Sequence, residues 1–326
     1  MNNILSMNLE LTTVCPFDCP QCYCNFSTPK HMDFNVAKYW IDEGIAHGLK
    51  ELSLSGGETM CYPDLFRVIE YASKNVSKVH ASFSGFGFTQ ESFENLVNSG
   101  IHSICISLNG STEEINNLTR RGYQYSISAL KLLMENKFPN TILNWVMHKS
   151  NADDFANLCD LCERYQVFAI NIIGRTPDDE NIIDDYPTKK QFEEISAFIR
   201  NYHGPVKIGI ESCFSQLRAL VSETKLFGNM NVGITKGCMA GIAIFSVSVD
   251  GRLTPCRHIV HQEAFDSLDE YFSKSEVIND LCHCSEEQAI DHCKFCHYLM
   301  SCRPCMAYSV NKTGLPVFGD DWCPLN

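Results

Sequence analysis

The sequence has no segment that would carry the chain into or across a membrane. Its N-terminus, MNNILSMNLELTTVCPFDC, lacks a basic region followed by a longer apolar one, and no run approaches the roughly 18 uninterrupted apolar residues of a membrane span. Biased segments and repeats at solenoid periods are also lacking. We therefore expect a chain that folds throughout and works in the cytoplasm without membrane contact.

Positive charge is scarce as well. The chain has 26 Lys and Arg against 39 Asp and Glu, which gives a formal net charge of -13. Such a balance repels phosphate backbones, and the basic stripe of nucleic-acid-binding proteins is missing. We expect no nucleic-acid partner, and a role in tRNA modification is disfavoured.

Cysteine, by contrast, is abundant, with 18 residues in a chain of 326 that has no export signal. Disulfides do not persist in a reducing compartment, so clustered thiols in such a chain are more often metal ligands or catalytic groups. The positions of the clusters therefore carry most of the functional information.

The first half alternates β-rich runs with amphipathic patterns that place apolar residues near i, i+3, i+4 and i+7. The predicted strands are Ser6–Thr13, Glu51–Ser55, Val79–Ser84, Ser103–Asn109, Thr141–Met147 and Phe168–Ile173. The predicted helices between them are Val36–His47, Tyr62–Lys74, Gln90–Asn98, Ser126–Glu135 and Asp153–Tyr165. Repeated βα units imply a parallel sheet with helices on its outside, and six strands would form a partial barrel.

The alternating strand and helix pattern ends in the second half of the chain. An acidic segment, TPDDENIIDDYPTKK, precedes a predicted helix at Lys190–Tyr202 and a strand-like VKIGIES. Short elements rich in cysteine follow, so we place a boundary at 203–215 and divide the chain into domains 1–205 and 206–326. Because the second domain shows little apolar periodicity, we expect bound metal to hold it together.

A C-x3-C-x2-C motif of Cys15, Cys19 and Cys22 directly follows the first strand. Three thiolates on one loop hold three irons of a 4Fe-4S cube and leave the fourth iron open to an outside ligand. Zinc with Cys24 as fourth ligand is the alternative, which the spacing favours less.

The motif in this position resembles the signature of the radical SAM superfamily, whose fold is a partial (β/α)6 barrel. LSLSGGETM matches the family's GGE segment, whose carboxylate pairs with the amino group of S-adenosylmethionine (SAM). The SFSG turn and the NIIG segment match the family's segments at its third and fifth strands. The resemblance implies that SAM is contacted by Gly56, Gly57, Glu58, Ser84, Ser107, Arg121, Ile172 and Gly174. One departure is Gln21, which stands where the family usually has an aromatic residue against adenine.

The C-terminal cysteines resemble the seven-cysteine pattern of the SPASM subgroup, C-x9-15-G-x4-C, then C-x2-C-x5-C-x3-C, then C. The spacing between Cys302 and Cys305 is one residue shorter than in this pattern. The resemblance implies two auxiliary 4Fe-4S clusters, and so three clusters in the protein. Auxiliary cluster I is assigned to Cys238, Cys256 and Cys305 with Cys213 as the chosen fourth ligand, and auxiliary cluster II to Cys293, Cys296, Cys302 and Cys323. An open site or Cys284 is the alternative to Cys213, and two zinc ribbons are the alternative to both clusters.

Seven cysteines remain outside these sets: Cys24, Cys61, Cys105, Cys159, Cys162, Cys282 and Cys284. The strand cysteine at 105 and the helical ones at 159 and 162 are expected to be buried as small apolar residues. Cys24 closely follows the C-x3-C-x2-C motif, and Cys61 closely follows the GGE segment. Together with Cys213 they are candidate hydrogen-atom donors to a substrate radical, although core packing explains the first two more simply.

The resemblance implies an enzyme that cleaves SAM to a 5′-deoxyadenosyl radical, with a flavodoxin or ferredoxin as reductant. SPASM relatives mostly modify peptides, so we expect a precursor peptide as substrate and an oxidative crosslink, of thioether or cyclophane type, as product. Sulfatase maturation is disfavoured because Arg257 stands where those enzymes have an aspartate. The chain begins close to its first strand, so a separate recognition protein or the barrel mouth is expected to capture the peptide.

Three alternatives remain open. Peptide epimerisation would require a thiol outside the clusters. A SPASM enzyme acting on a small molecule or haem precursor would need no peptide. A non-enzymatic zinc-ribbon protein would hold zinc in place of iron.

Overall fold

The computed structural model describes residues 4–22, 24, 28–175, 185–221, 237–299, 302–319, 323 and 325. Within these residues the strands are β1 Ser6–Glu10, β2 Glu51–Ser55, β3 Lys78–Phe83, β4 Ser103–Ser107, β5 Thr141–Met147, β6 Ala169–Gly174, β7 Lys207–Ile210, β8 Ile244–Val247 and β9 Leu253–Thr254. They form one sheet in the order β7-β6-β5-β4-β3-β2-β1-β8-β9. Neighbouring strands are parallel except for the antiparallel pair β8–β9.

Helices connect the parallel strands, as a βα pattern requires. The described helices are α1 Phe34–Ala46, α2 Leu65–Ser73, α3 Gln90–Asn98, α4 Glu113–Thr119, α5 Tyr123–Glu135, α6 Phe155–Arg164, α7 Lys189–Asn201, α8 Ser215–Leu220, α9 Leu268–Lys274, α10 Glu276–His283, α11 Asp291–Lys294 and α12 Ala307–Thr313. Several begin at side chains that accept a hydrogen bond from the first turn, among them Asp33 before α1 and the capping boxes of Thr89 before α3 and Thr188 before α7.

The predicted partial barrel is confirmed, and the sheet extends beyond it. All six predicted strands are present, with bounds that differ by no more than three residues. β7 continues the sheet at one edge, and β8 pairs in parallel with β1 at the other, with Leu9 opposite Val247. The sheet therefore crosses position 205, where the domain boundary was predicted, because strands from both sides of it share one hydrogen-bonded ladder.

Alternation along the strands separates two environments. Leu9 on β1 and Ile106 on β4 are fully buried in the main hydrophobic core. Neighbouring positions point to the opposite face of the sheet. There Asn8, Ser53 and His80 line a cavity inside the barrel. The interior of this barrel is polar, which leaves room for a ligand that a filled core would exclude.

The C-terminal part has a small hydrophobic core of its own. Leu281 on α10, Met306 and Phe318 are buried together in it, beside Cys238 and Cys284. The sequence reading missed α9 and α10 because helices of seven and eight residues show an apolar period for barely two turns. This hydrophobic core therefore contributes to the stability of this part of the chain.

Most of the acidic segment, residues 176–184, lies outside the described residues. No described helix is long and apolar enough to cross a membrane.

Candidate functional site

A cavity opens at the carboxyl ends of the first six strands, and we call it the loop cavity. Six of the eight predicted SAM contacts line it, together with all three cysteines of the first motif: Gly56, Gly57, Glu58, Ser84, Ser107, Gly174, Cys15, Cys19 and Cys22. Parallel strands bring their carboxyl ends to one edge of the sheet, which is where such folds bind ligands. Segments far apart in sequence thus meet at one place.

The turn after β2 is tied to the chain that follows β1. Gly57 N donates to Thr12 O at 2.6 Å, and Glu58 N donates to Val14 O at 2.8 Å. A Cβ atom at Gly57 would lie 2.3 Å from Val14 O, and Gly56 has φ +144°. Both positions therefore require glycine, one for the close approach and one for its backbone conformation.

Glu58 is buried with its carboxylate facing β3. Glu58 Oε2 accepts hydrogen bonds from Ser84 N at 2.8 Å and from the Ser84 hydroxyl, and Glu58 Oε1 accepts one from Met60 N at 3.1 Å. Burial raises the pKa of this carboxyl, and the Ser84 hydrogen bonds oppose the rise. The group is held rigidly at the cavity wall.

Two predicted contacts lie elsewhere. The Arg121 side chain is 43% exposed, and its Nη1 donates to Asn117 O at 2.7 Å, whereas the preceding Arg120 lines the loop cavity. Ile172 is buried in the main core, and its neighbour Ile173 lines the cavity. In both cases the side chain that faces the cavity belongs to the residue next to the predicted one.

The cysteine loop combines different local environments. Burial raises the pKa of Cys15 to about 11, while a hydrogen bond with the Cys24 side chain lowers the pKa of Cys22 to about 7. Cys19 Sγ accepts a hydrogen bond from Arg121 N at 3.3 Å. Cys24 itself lines the cavity and donates to Gly56 O at 3.2 Å.

The cavity inside the barrel, which we call the barrel cavity, brings together Cys213, Cys238, Cys256 and Cys305. These are the residues predicted for auxiliary cluster I, with the chosen fourth ligand. Burial raises the pKa of Cys213 and of Cys256 to about 12, so both thiols are neutral until a cation displaces their protons. Cys284, the alternative ligand, is buried in the C-terminal core and does not line this cavity.

A third cavity, the C-terminal cavity, is lined by Cys293, Cys296, Cys302 and Cys323 among apolar neighbours such as Leu299 and Phe318. This is the set predicted for auxiliary cluster II. Residues 293 and 323 are far apart in sequence, so the fold itself collects these thiols.

The three cysteine sets consist of thiols, which are donors that both zinc and iron-sulfur clusters use. A zinc ion requires four ligands at about 2.0 to 2.3 Å from one centre. In a 4Fe-4S cube each thiolate binds a different iron, so the sulfurs surround a larger volume. The donor chemistry of these sets fits iron-sulfur clusters.

The other cysteines divide by environment. Cys105, Cys159 and Cys162 are buried, as predicted, and Cys105 also lines the barrel cavity. Cys61 is not among the residues that line the loop or barrel cavities, whereas Cys24 and Cys213 are.

The sequence reading missed several polar residues that connect the two larger cavities. Ser82, Asn144, Arg257 and His258 line both of them, so the loop and barrel cavities adjoin. The Arg257 guanidinium pairs with the Glu211 carboxylate at 3.3 Å. The sequence indicates Arg257 only as the residue that stands in place of an aspartate. The pairing of β8 with β1, which brings this region to the barrel, has no signal in a single sequence.

Comparison with known proteins agrees with this geometry. The model of the radical SAM superfamily matches residues 9–162, which contain the cysteine loop and the glycine turn. Residues 9–162 therefore form a radical SAM domain, and the protein is an enzyme. This family implies SAM and a 4Fe-4S cluster as cofactors.

Relatives extend the likeness over nearly the whole chain. An AdoMet-dependent heme synthase of Methanosarcina barkeri is 24% identical over 96% of this chain and 94% of its own. The mycofactocin maturase MftC of Mycolicibacterium smegmatis is 24% identical over 97% of this chain and 81% of its own. The SAM-bound structure of Streptococcus suis SuiB superposes with a TM-score of 0.75 at 16% identity, covering 99% of this chain and 77% of that one. SuiB has also been solved bound to its precursor peptide SuiA, with a TM-score of 0.73 at 15% identity over 99% of this chain and 76% of that one. The fold is that of SPASM-type radical SAM enzymes.

Replacing Gly57 with Ala should destabilise the protein by about 1 to 3 kcal/mol, because the new Cβ would push the turn away from Val14. Chemical unfolding of the purified protein measures this change. Gly44→Ala is the matched control, since its Cβ would contact the Leu49 side chain and no backbone atom, and we expect a smaller change. Equal effects of the two substitutions would contradict the tight approach at Gly57.

Proposed function

We propose that this enzyme is a peptide maturase with three 4Fe-4S clusters, one in each cysteine-lined cavity. The observation that carries the proposal is the sorting of eleven cysteines into three cavities. The sets are those expected from the C-x3-C-x2-C motif and from the seven-cysteine SPASM pattern, with Cys213 as the added ligand. Chance burial of thiols would not reproduce this grouping.

The loop cavity has the groups that SAM requires. Cys15, Cys19 and Cys22 would hold three irons, and the open iron would take the amino acid end of SAM. Glu58, fixed by Ser84, would pair with the ammonium group. For the carboxylate of SAM we propose Arg120 in place of Arg121, because Arg120 lines the cavity.

When bound, the cluster would supply the electron for cleavage of SAM to a 5′-deoxyadenosyl radical, and this radical would take a hydrogen atom from a substrate carbon. The chain provides a binding site for the substrate in the adjoining barrel cavity, next to the Cys213 set. Electrons left by substrate oxidation would pass to the auxiliary clusters, and a flavodoxin or ferredoxin would reduce the first one. Polar wall residues such as Asn144 would orient the substrate between the two cavities.

A precursor peptide is the substrate we propose, with an oxidative crosslink as product. MftC, which matches this chain in sequence, is named a maturase. SuiB, which matches it in fold, has been solved with a precursor peptide bound. A separate recognition protein or the mouth of the barrel itself would capture the peptide. Peptide epimerisation stays an alternative because the Cys24 thiol lines the loop cavity.

A haem precursor is the second candidate substrate. Its support is the relative from Methanosarcina barkeri, a heme synthase that matches this chain over almost its whole length. The two proposals differ in product, since only the first leaves a modified peptide.

Replacing Cys15, Cys19 and Cys22 together with Ala should remove about four of twelve irons and all SAM cleavage. Iron analysis of the anaerobically reconstituted protein and chromatography of 5′-deoxyadenosine measure both effects. Cys282→Ala, at an exposed cysteine, should retain all irons. Zinc at comparable stoichiometry would contradict the assignment.

Replacing Glu58 with Gln should weaken SAM binding by about 1.5 to 3 kcal/mol, because one charge-assisted hydrogen bond is lost. Burial raises the pKa of Glu58, so wild-type affinity should increase as the pH rises above the ordinary range of a glutamate and the carboxyl loses its proton. The variant should lack this increase. Equilibrium binding to cluster-loaded protein is the measurement, with the exposed Glu91→Gln as control. Unchanged affinity and an unchanged pH profile would remove Glu58 from the SAM site.

Replacing Cys296 or Cys323 with Ala should abolish product while 5′-deoxyadenosine formation continues, since the C-terminal cavity lies apart from the cysteine loop. With the co-expressed precursor, the wild-type product should weigh about two hydrogens less than the peptide. Mass spectrometry of the peptide distinguishes the crosslink from epimerisation. An unchanged mass with one deuterium gained in heavy water would mean epimerisation and would overturn the crosslink.

A further inference from the structure

One histidine of the barrel cavity is buried with both ring nitrogens unpaired. His80 on β3 lines this cavity and is 6% exposed, and neither of its ring nitrogens has a hydrogen-bond partner among the described residues. The ring of His102 meets it edge-on, with the centroids 5.6 Å apart. A buried polar group without a partner costs free energy, so it indicates that water or a ligand pairs with it.

His80 belongs to a row of side chains deep in the barrel, away from the loop cavity. Asn8 lies opposite both Ser246 and Ser53 in the paired strands. Ser53 in turn lies opposite His80, and all four residues line the barrel cavity. Ser84, which lines the loop cavity, follows four residues later in the chain. Four residues of an extended strand span roughly 13 Å, so His80 lies well below the mouth of the barrel.

The amide in the same row is satisfied by the chain itself. Asn8 Nδ2 donates to Ser53 O at 3.3 Å, and Asn8 Oδ1 accepts from the Ser55 hydroxyl at 3.0 Å. The unpaired nitrogens of His80 are therefore not a general property of the polar interior.

The charged side chains among the described residues that line this cavity are already paired. The Glu51 carboxylate lies 3.3 Å from Lys78 Nζ, and the Glu211 carboxylate lies 3.3 Å from the Arg257 guanidinium. Burial is the largest of the causes that lower the pKa of His80 to about 4, so its ring is neutral near pH 7. A charged group placed beside this ring would lose its water and find these opposite charges already paired.

A neutral imidazole carries one N–H donor and one acceptor nitrogen. A group that both donates and accepts, such as a carboxamide or a hydroxyl, is complementary to it. An apolar group would displace water and leave the ring nitrogens unpaired, which buried polar groups rarely tolerate.

We propose that His80 is a substrate-binding residue, and that the deep part of the barrel cavity takes an uncharged hydrogen-bonding side chain of the substrate. The inference rests on the proposed function, which places the substrate in the barrel cavity. It adds the chemical class of the group that enters deepest.

The test is equilibrium dialysis of three probes against the reconstituted full-length protein. The probes are the N-acetyl amides of glutamine, glutamate and methionine, whose side chains are similar in length and differ in polarity and charge. The wild type should bind the glutamine probe about tenfold more tightly than either of the others, because only its carboxamide pairs with the ring without bringing a charge. His80→Leu should remove this preference, and His80→Gln, which again offers a donor and an acceptor, should recover it.

His203→Leu, the same change at an exposed histidine, is the control and should keep the wild-type preference. Thermal unfolding separates binding from a structural role. Because neither ring nitrogen of His80 pairs with the described part of the chain, His80→Leu should unfold at the wild-type temperature or above.

Equal binding of the three probes by the wild type would mean that water alone pairs with His80 and would overturn the inference. Failure of all three to bind, or tighter binding of the glutamate probe, would overturn it as well. So would a preference that survives in His80→Leu. Formation of 5′-deoxyadenosine by the same wild-type preparation tests the proposed function separately, since its absence would contradict that function whatever the probes show.

Discussion

Two backbone hydrogen bonds join the turn after β2 to the chain after β1, from Gly57 N to Thr12 O and from Glu58 N to Val14 O. They fix the start of the cysteine loop against the carboxyl end of the sheet. The same two bonds point the Glu58 carboxylate toward β3, where Ser84 holds it. The positions of the cysteine loop, the Glu58 carboxylate and the mouth of the barrel therefore depend on one another, and a shift of the turn would displace all three.

The polar interior of the barrel is the second constraint. Strand alternation places Leu9 in the core and Asn8 in the barrel cavity, so the sheet separates a dry exterior layer from a ligand-sized interior. Asn144 and Arg257 line both the loop and the barrel cavity. A substrate in the barrel would thus lie between the cysteine loop and the Cys213 set, which suits chemistry that begins at one cluster and ends at another.

Local patterns were enough to predict the first six strands and five of the six helices between them, because those segments are periodic. The seven-residue helix α4 was not predicted. Local patterns also did not reveal β8, whose pairing with β1 joins residues about 240 positions apart. The side chains of Arg121 and Ile172 lie outside the loop cavity for a different reason. A helix end and a strand end each turn side chains by a large angle per residue, so a correct motif can leave the facing residue ambiguous by one position. The hydrogen-bond partners of Gln21, Asn109 and His148, follow different strands and are brought together only by the fold.

The central claim is that the fold sorts the cysteines into three cluster sites. An anaerobic crystal structure of the reconstituted protein, with anomalous data at the iron edge, tests it most directly. The account predicts three separate iron peaks, one beside Cys19, one beside Cys256 and one beside Cys296, each enclosed by the thiolates of its own cavity. Anomalous signal from zinc at these positions, or iron beside Cys19 alone, would contradict it.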